Sequence, residues 1–175
     1  MDTLELAGPV FLAGPPCSGK SAAGSRLAEM LGIPFFDLDE MTEAMASMSV
    51  PEIFHRLGEE GFRELESRAL EYAVNEGSVF VLSLGGGCLL REQNLRKVLE
   101  RGTLVTLTAA METLLERRRR QAGSRPLAMT DEAFRELMLS RKEHYNSLPS
   151  PVDTTNLSPE KTAGRILEKL RESLS

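Results

Sequence analysis

The octapeptide Gly14-Pro15-Pro16-Cys17-Ser18-Gly19-Lys20-Ser21 follows directly on the apolar run Pro9-Val10-Phe11-Leu12-Ala13. Together they restrict this part of the chain to a strand, a glycine-rich turn and a helix, in that order. The octapeptide fits G-x-x-x-x-G-K-[ST], the phosphate-binding loop. The residue types follow from that chemistry: the glycines let the backbone bend until successive N–H groups converge on phosphate oxygens, Lys20 adds a mobile positive charge, and Ser21 offers a hydroxyl to Mg²⁺. The stretch 20–31 reads as a helix whose positive N-terminal end would face the same phosphates. A chance glycine turn is the alternative, and the required order of strand, motif and helix argues against it. Pro15 and Pro16 stiffen the first half of the loop, and Ala22 stands where a second hydroxyl is common.

Beyond the loop, apolar runs alternate with helical patterns along all 175 residues, with no internal repeat. The spacing predicts strands at 9–13, 34–36, 78–84, 103–108 and 150–154. Helices are expected at 20–31, 91–101, 110–119, 130–147 and 159–173, helical pieces across 39–48 and 51–75, and an open loop at 120–129. Such alternation implies an α/β fold, a parallel sheet covered by helices on both faces, whose ligands bind beyond the carboxyl ends of the strands. The length suits one domain. With 41% hydrophobic and 27% charged residues and no charged-then-apolar leader, the expectation is a soluble cytoplasmic protein that does not enter a membrane. A net charge of −5 argues against a general basic surface for nucleic acid. Two cysteines, Cys17 and Cys88, make neither a disulfide framework nor a metal-site spacing, and both are expected to be reduced thiols. No oligomerisation segment is evident, so a monomer is expected.

Several clusters could carry chemistry. Phe36-Asp37-Leu38-Asp39 places two carboxylates at the end of the second strand, on the same side of it because strand side chains alternate with period two. One acid could hold a metal's waters and the other orient a substrate hydroxyl, or Asp39 could merely cap the helix that follows. Arg63 and Glu66, three apart on one helical face, form either an exposed ion pair or a carboxylate-gripping arginine held in place by its neighbour. Gly85-Gly86-Gly87 destabilises any regular element and marks a close backbone approach to a ligand. Arg117 to Arg120 run together with Arg125 following. They read either as a solvated helix face or as partners for a polyanion. Met41, Met45 and Met48 fit packing roles, and His55 and His144 have no partner pattern. Cys17, near a helix N-terminus, is placed where a thiolate is favoured.

Taken in order and spacing, the phosphate loop, Phe36-Asp37-Leu38-Asp39, Glu52-Ile53-Phe54 leading to Phe62-Arg63 and Glu66, Gly85-Gly86-Gly87, Arg125-Pro126-Leu127, and Arg141 ahead of Tyr145 resemble the shikimate kinase family over nearly the whole chain. The resemblance implies a single-domain, three-layer phosphate-loop kinase fold over 1–175, with a five-stranded parallel sheet. A substrate-binding helical segment would span about 38–66 and a mobile lid about 119–130. It also implies transfer of the γ-phosphoryl group of ATP to the 3-hydroxyl of shikimate, in aromatic amino-acid biosynthesis, with Mg²⁺ as cofactor.

Carried over to these positions, ATP would be held by Gly14, Pro15, Pro16, Cys17, Ser18, Gly19, Lys20, Ser21 and Ala22, with Arg125 closing over the phosphates and Arg118 against the adenine. Thr154 to Pro159 would approach the other side of the base. The metal would fall to Ser21 and, through a water, Asp37. Asp39 would bind the acceptor hydroxyls and assist proton removal, and Lys20, Asp39 and Arg125 would carry catalysis. Arg63 and Arg141, with Gly85, Gly86 and Gly87, would bind shikimate, Glu66 orienting Arg63. Cys17 replaces a glycine frequent in the family's loop, and Ala128 a frequent leucine. A kinase of another hydroxy acid such as gluconate, or a nucleotide-binding protein without catalysis, are the other readings.

Overall fold

The structure, a computed structural model, describes residues 4–123 and 129–174. Five parallel strands form one sheet in the order β2-β3-β1-β4-β5: β1 (Val10–Ala13), β2 (Phe35–Asp37), β3 (Val81–Ser83), β4 (Thr103–Thr108) and β5 (Pro151–Asp153). Between and around them run α1 (Lys20–Leu31), α2 (Leu38–Ala46), α3 (Val50–Asn75), α4 (Glu92–Arg101), α5 (Met111–Ala122), α6 (Asp131–Ser140), α7 (Lys142–Ser147) and α8 (Pro159–Leu174).

All four residues of β1 are buried, as a strand covered on both faces requires. Its side chains alternate between two cores. Val10 and Leu12 face one built with Ala23, Leu27, Ile166 and Leu170 of α1 and α8. Phe11 and Ala13 face the other, built with Ala69, Leu70, Leu115 and Phe134 from α3, α5 and α6. The layers are therefore α1 and α8, the sheet, and the remaining helices. Phe80 bridges the second core, meeting Phe11 edge-on at 6.3 Å and Phe36 at 5.7 Å.

The register brings functional groups level with one another. Leu12 pairs with Ser83 and Asp37 with the same Ser83, so the exits of β1, β2 and β3 lie side by side, with the phosphate loop above them. Gly19 caps α1 with φ 98, a left-handed turn that closes the loop just before Lys20.

The structure differs from the expectations from spacing at several places. Asp37 is the last residue of β2 and also the N-cap of α2, accepting from the N–H groups of Asp39 and Glu40, so Asp39 lies in a helical first turn and not on an extended strand. The segment expected as one helix over 130–147 breaks at Arg141, where Ser140 gives way to a second short helix. The helical pieces expected across 51–75 are α3, which is interrupted at Gly58 (φ 69, ψ −177). α5 runs to Ala122 and so takes the first turn of the expected loop. The third strand is shorter than its apolar run, and a 3-10 turn at Cys88–Leu90 precedes α4.

Candidate active site

A cavity of about 320 Å³ opens at the strand exits, lined by Pro16, Cys17, Gly19, Lys20, Ser21, Ala22, Asp37, Asp39, Ser83, Leu84, Gly85, Gly86 and Gln121. On its phosphate-loop wall the buried Lys20 donates to the carbonyls of Gly14 at 2.8 Å and Pro15 at 2.9 Å. Burial lowers its ammonium from 10.5 to about 8, against the opposing pull of Asp39. Ser21 donates to Asp37 Oδ2 at 2.6 Å and lies 3.4 Å from the Ser83 hydroxyl. Hydroxyl and carboxylate oxygens so placed form a hard-donor pair suited to Mg²⁺, which binds through one or two protein oxygens plus phosphate and water. Among the described residues no cluster of three or more His, Cys, Asp or Glu side chains makes a closed metal cage.

Cys17 corrects an expectation. It adopts φ 66 in the loop, and its thiol lies 3.6 Å from Gln121 Oε1. Burial pushes the thiol up, outweighing the attraction of Lys20, Arg118 and Arg117, so the neutral form is favoured where the helix N-terminus alone would favour the thiolate.

On the opposite wall the triple glycine is surrounded by charge. A Cβ on Gly87 would fall on Arg63 Nη2 and lie 3.1 Å from Arg141 Nη2. A Cβ on Gly85 would collide with Glu66 Oε2 and lie 3.4 Å from Asp39 Oδ1. Only a bare backbone fits there, and two guanidinium groups from α3 and from the α6–α7 junction meet beside it. Glu66 is fully buried and accepts from Arg63 Nη1 at 2.8 Å, which removes the exposed-pair reading of these two residues. Burial raises the Glu66 carboxyl despite Arg63, and Glu66 Oε2 has no hydrogen-bond partner among the described residues. Asp39 is raised as well, by burial first and then by repulsion from Asp37.

Several supporting residues escaped the sequence reasoning. Tyr145 donates to the Gly86 carbonyl at 2.7 Å and holds the glycine strip from α7. Arg91 reaches Glu60, Glu64 at 3.0 Å and Ser67 at 3.3 Å, and Asn94 donates to the Cys88 carbonyl at 3.0 Å, so the segment after the glycines is tied onto α3. Arg117, undistinguished within its run, bonds the carbonyls of Cys17 and Ser18. Its neighbour Arg118, expected against an adenine, is buried with its guanidinium on Asp131, on the Met129 carbonyl and 5.1 Å from the Phe134 ring centroid. Arg125 lies outside the described residues.

The shikimate kinase family model matches residues 16–171. A shikimate kinase of Thermus thermophilus is 38% identical over 176 residues, covering 97% of this chain and 95% of that protein. Among solved structures, a shikimate kinase from Acinetobacter baumannii in complex with shikimate superposes with a TM-score of 0.85 at 28% identity, covering 95% of this chain and 94% of that one. Shikimate kinase from Aquifex aeolicus gives 0.80 at 34%, covering 95% and 98%. A gluconokinase from Sinorhizobium meliloti, at 16% identity and a TM-score of 0.64, shares the fold alone. With the family model matching nearly the whole chain and a relative 38% identical over 95% of its own length, this chain belongs to the shikimate kinase family.

Proposed function

We propose that this chain transfers the γ-phosphoryl group of ATP to the 3-hydroxyl of shikimate, giving shikimate 3-phosphate and ADP. The observation that carries the reading is the meeting of Arg63 and Arg141 beside Gly87, because two forked cations over a bare backbone suit a ring carboxylate. That clamp favours a cyclic hydroxy acid over gluconate.

The geometry and the family resemblance together support the following division of labour. Gly14 to Ala22 cradle the triphosphate, Lys20 turning from the loop carbonyls to the phosphates. Bound Mg²⁺ would neutralise charge on the β- and γ-phosphates, with Ser21 as its protein ligand and Asp37 behind a water. Asp39 orients the acceptor hydroxyl and accepts its proton, a task helped by its raised carboxyl. Glu66 fixes Arg63 through Oε1 and leaves Oε2 for an acceptor hydroxyl. Arg125 adds positive charge where negative charge redistributes on the phosphoryl oxygens in the transition state. Arg118 and the 154–159 turn flank the base. Gly85, Gly86 and Gly87 line the acceptor pocket. The chain acts as one kinase domain, a monomer in the cytoplasm. No described helix is long and apolar enough to cross a membrane.

A coupled assay of ADP release with shikimate, gluconate or no acceptor tests the reading. Turnover dependent on shikimate supports it, gluconate-dependent turnover reassigns the acceptor, and no acceptor-dependent turnover removes catalysis.

A further inference from the structure

We propose that Arg117, together with Thr154, is a positioning residue for ATP: its guanidinium pins the second half of the phosphate loop from behind, so that the loop's N–H groups face the phosphates. The inference rests on the nucleotide-binding reading above.

Arg117 Nη1 donates to the carbonyls of Cys17 at 3.3 Å and Ser18 at 3.2 Å, and to Thr154 Oγ1 at 3.0 Å. Its Nη2 donates to the Thr154 carbonyl at 2.6 Å. The buried Thr154 hydroxyl in turn donates to the Ser18 carbonyl at 2.8 Å, and its backbone N–H donates to the Thr108 carbonyl at 2.7 Å. One guanidinium therefore joins α5, the phosphate loop and the exit of β5.

The bonded carbonyls decide the direction of the loop's donors. The Ser18 carbonyl and the Gly19 N–H belong to one planar trans peptide, so two donors holding the oxygen outward turn the N–H to the opposite side. The residues on either side of Ser18 need that support, since Cys17 (φ 66) and Gly19 (φ 98) are both left-handed and Cys17 lacks glycine's freedom there. Hydrogen bonds on a carbonyl also polarise its peptide, which makes the N–H a stronger phosphate donor.

The Arg117 guanidinium is held by backbone carbonyls and a hydroxyl, with the Asp153 carboxylate near enough to feel its charge. Arg118 and Arg119 pair with Asp131, and Arg120 with Glu116, whereas among the described residues no carboxylate forms an ion pair with Arg117. In a run of four like residues, three pair with acids, and Arg117 is turned to the carbonyls of the phosphate loop.

Calorimetric titration of ADP and ATP, without acceptor, into wild type, R117Q, R117K, T154V and R117Q/T154V tests the proposal. R117Q is expected to weaken both nucleotides alike by about tenfold, about 1.4 kcal/mol. R117K falls between, since one ammonium cannot serve both carbonyls and Thr154. T154V weakens binding less, and the double variant loses less than the sum, as coupled residues do. In steady state the KM for ATP rises while that for the acceptor stays, a split that a general loss of folded protein does not produce. Unchanged nucleotide affinity in folded R117Q overturns the proposal. So does a loss confined to ATP with T154V indifferent, which marks a direct γ-phosphate contact. Should R117Q not fold, R117K and T154V carry the same comparison. Wild type that binds neither nucleotide overturns the nucleotide reading itself, and the inference with it.

Discussion

The two walls of the cavity are built on different principles. The phosphate wall is main chain: a single contiguous loop whose bends are set at Cys17 and Gly19 and whose carbonyls are occupied by Lys20, Arg117 and Thr154. The acceptor wall is side chain: Asp39 from α2, Arg63 and Glu66 from α3, and Arg141 from the α6–α7 junction, gathered over a glycine strip. On the proposed function, backbone donors would recognise what all nucleoside triphosphates share, and a convergence of separate side chains would recognise one acid. Carbonyls of the phosphate wall find partners within the chain before any ligand arrives, while the buried Ser18 hydroxyl has no hydrogen-bond partner among the described residues. The acceptor wall retains an orphaned buried oxygen on Glu66.

The sharpest way to separate the walls is at Asp39, which faces both. Asp39→Asn keeps the shape but cannot take the proton, so turnover should fall by about two to four orders of magnitude, the range for a positioned general base. ATP affinity, measured by titration, should hold or improve, because removing this carboxylate removes repulsion from the phosphates. Near-normal turnover would take Asp39 out of the mechanism and leave it as part of the α2 terminus.

A smaller effect is expected across the acceptor wall alone. Arg63→Ala strips one fork from the clamp, and with a charged hydrogen bond worth about 1.5–3 kcal/mol the acceptor KM should rise about 10- to 100-fold while the KM for ATP stays. It also leaves Glu66 buried without its cation, which destabilises the fold. The double variant R63A/E66Q should recover thermal stability without recovering acceptor affinity. Recovery of both would make the pair structural, as its i, i+3 spacing alone allows.

The difference between the walls also decides what could be read without coordinates. Loop, strand and helix stand next to one another in the chain, so Gly14 to Ser21 announced their chemistry directly. Nothing local joins Asp39, Arg63 and Arg141, and only the resemblance connected them. Asp37 and Asp39 were recognisable as a pair, but alternation along a strand gave the wrong reason: Asp37 ends the strand by capping the helix that carries Asp39. Arg117 and Arg118 are alike in sequence, and helical phase around α5 sends one to the loop backbone and the other to Asp131. The break at Arg141 has no proline or glycine to mark it, and it places that guanidinium beside Gly87. The Cys17 thiol was misjudged because the helix N-terminus is visible in the sequence and the burial around it is not.

The smallest effect is protonic and belongs to the phosphate wall. In the free protein burial holds Lys20 at about 8 where an unfolded chain would have 10.5. Between those values the unfolded state binds more protons, so through Lys20 the fold gains stability as pH rises across that window, and the unfavourable contribution is fully present below it. Phosphates beside the ammonium raise its pKa again, since opposite charge favours the protonated form. ATP binding at pH 9 should therefore draw up to about one proton from solution, and at pH 6.5 essentially none through this group. Calorimetry in two buffers of different ionisation enthalpy reads the number directly, and repeating it in C17S removes the neighbouring thiol from the count. Equal proton uptake at both pH values would show that Lys20 is already charged in the free loop, and that its bonds to the Gly14 and Pro15 carbonyls outweigh the burial around it.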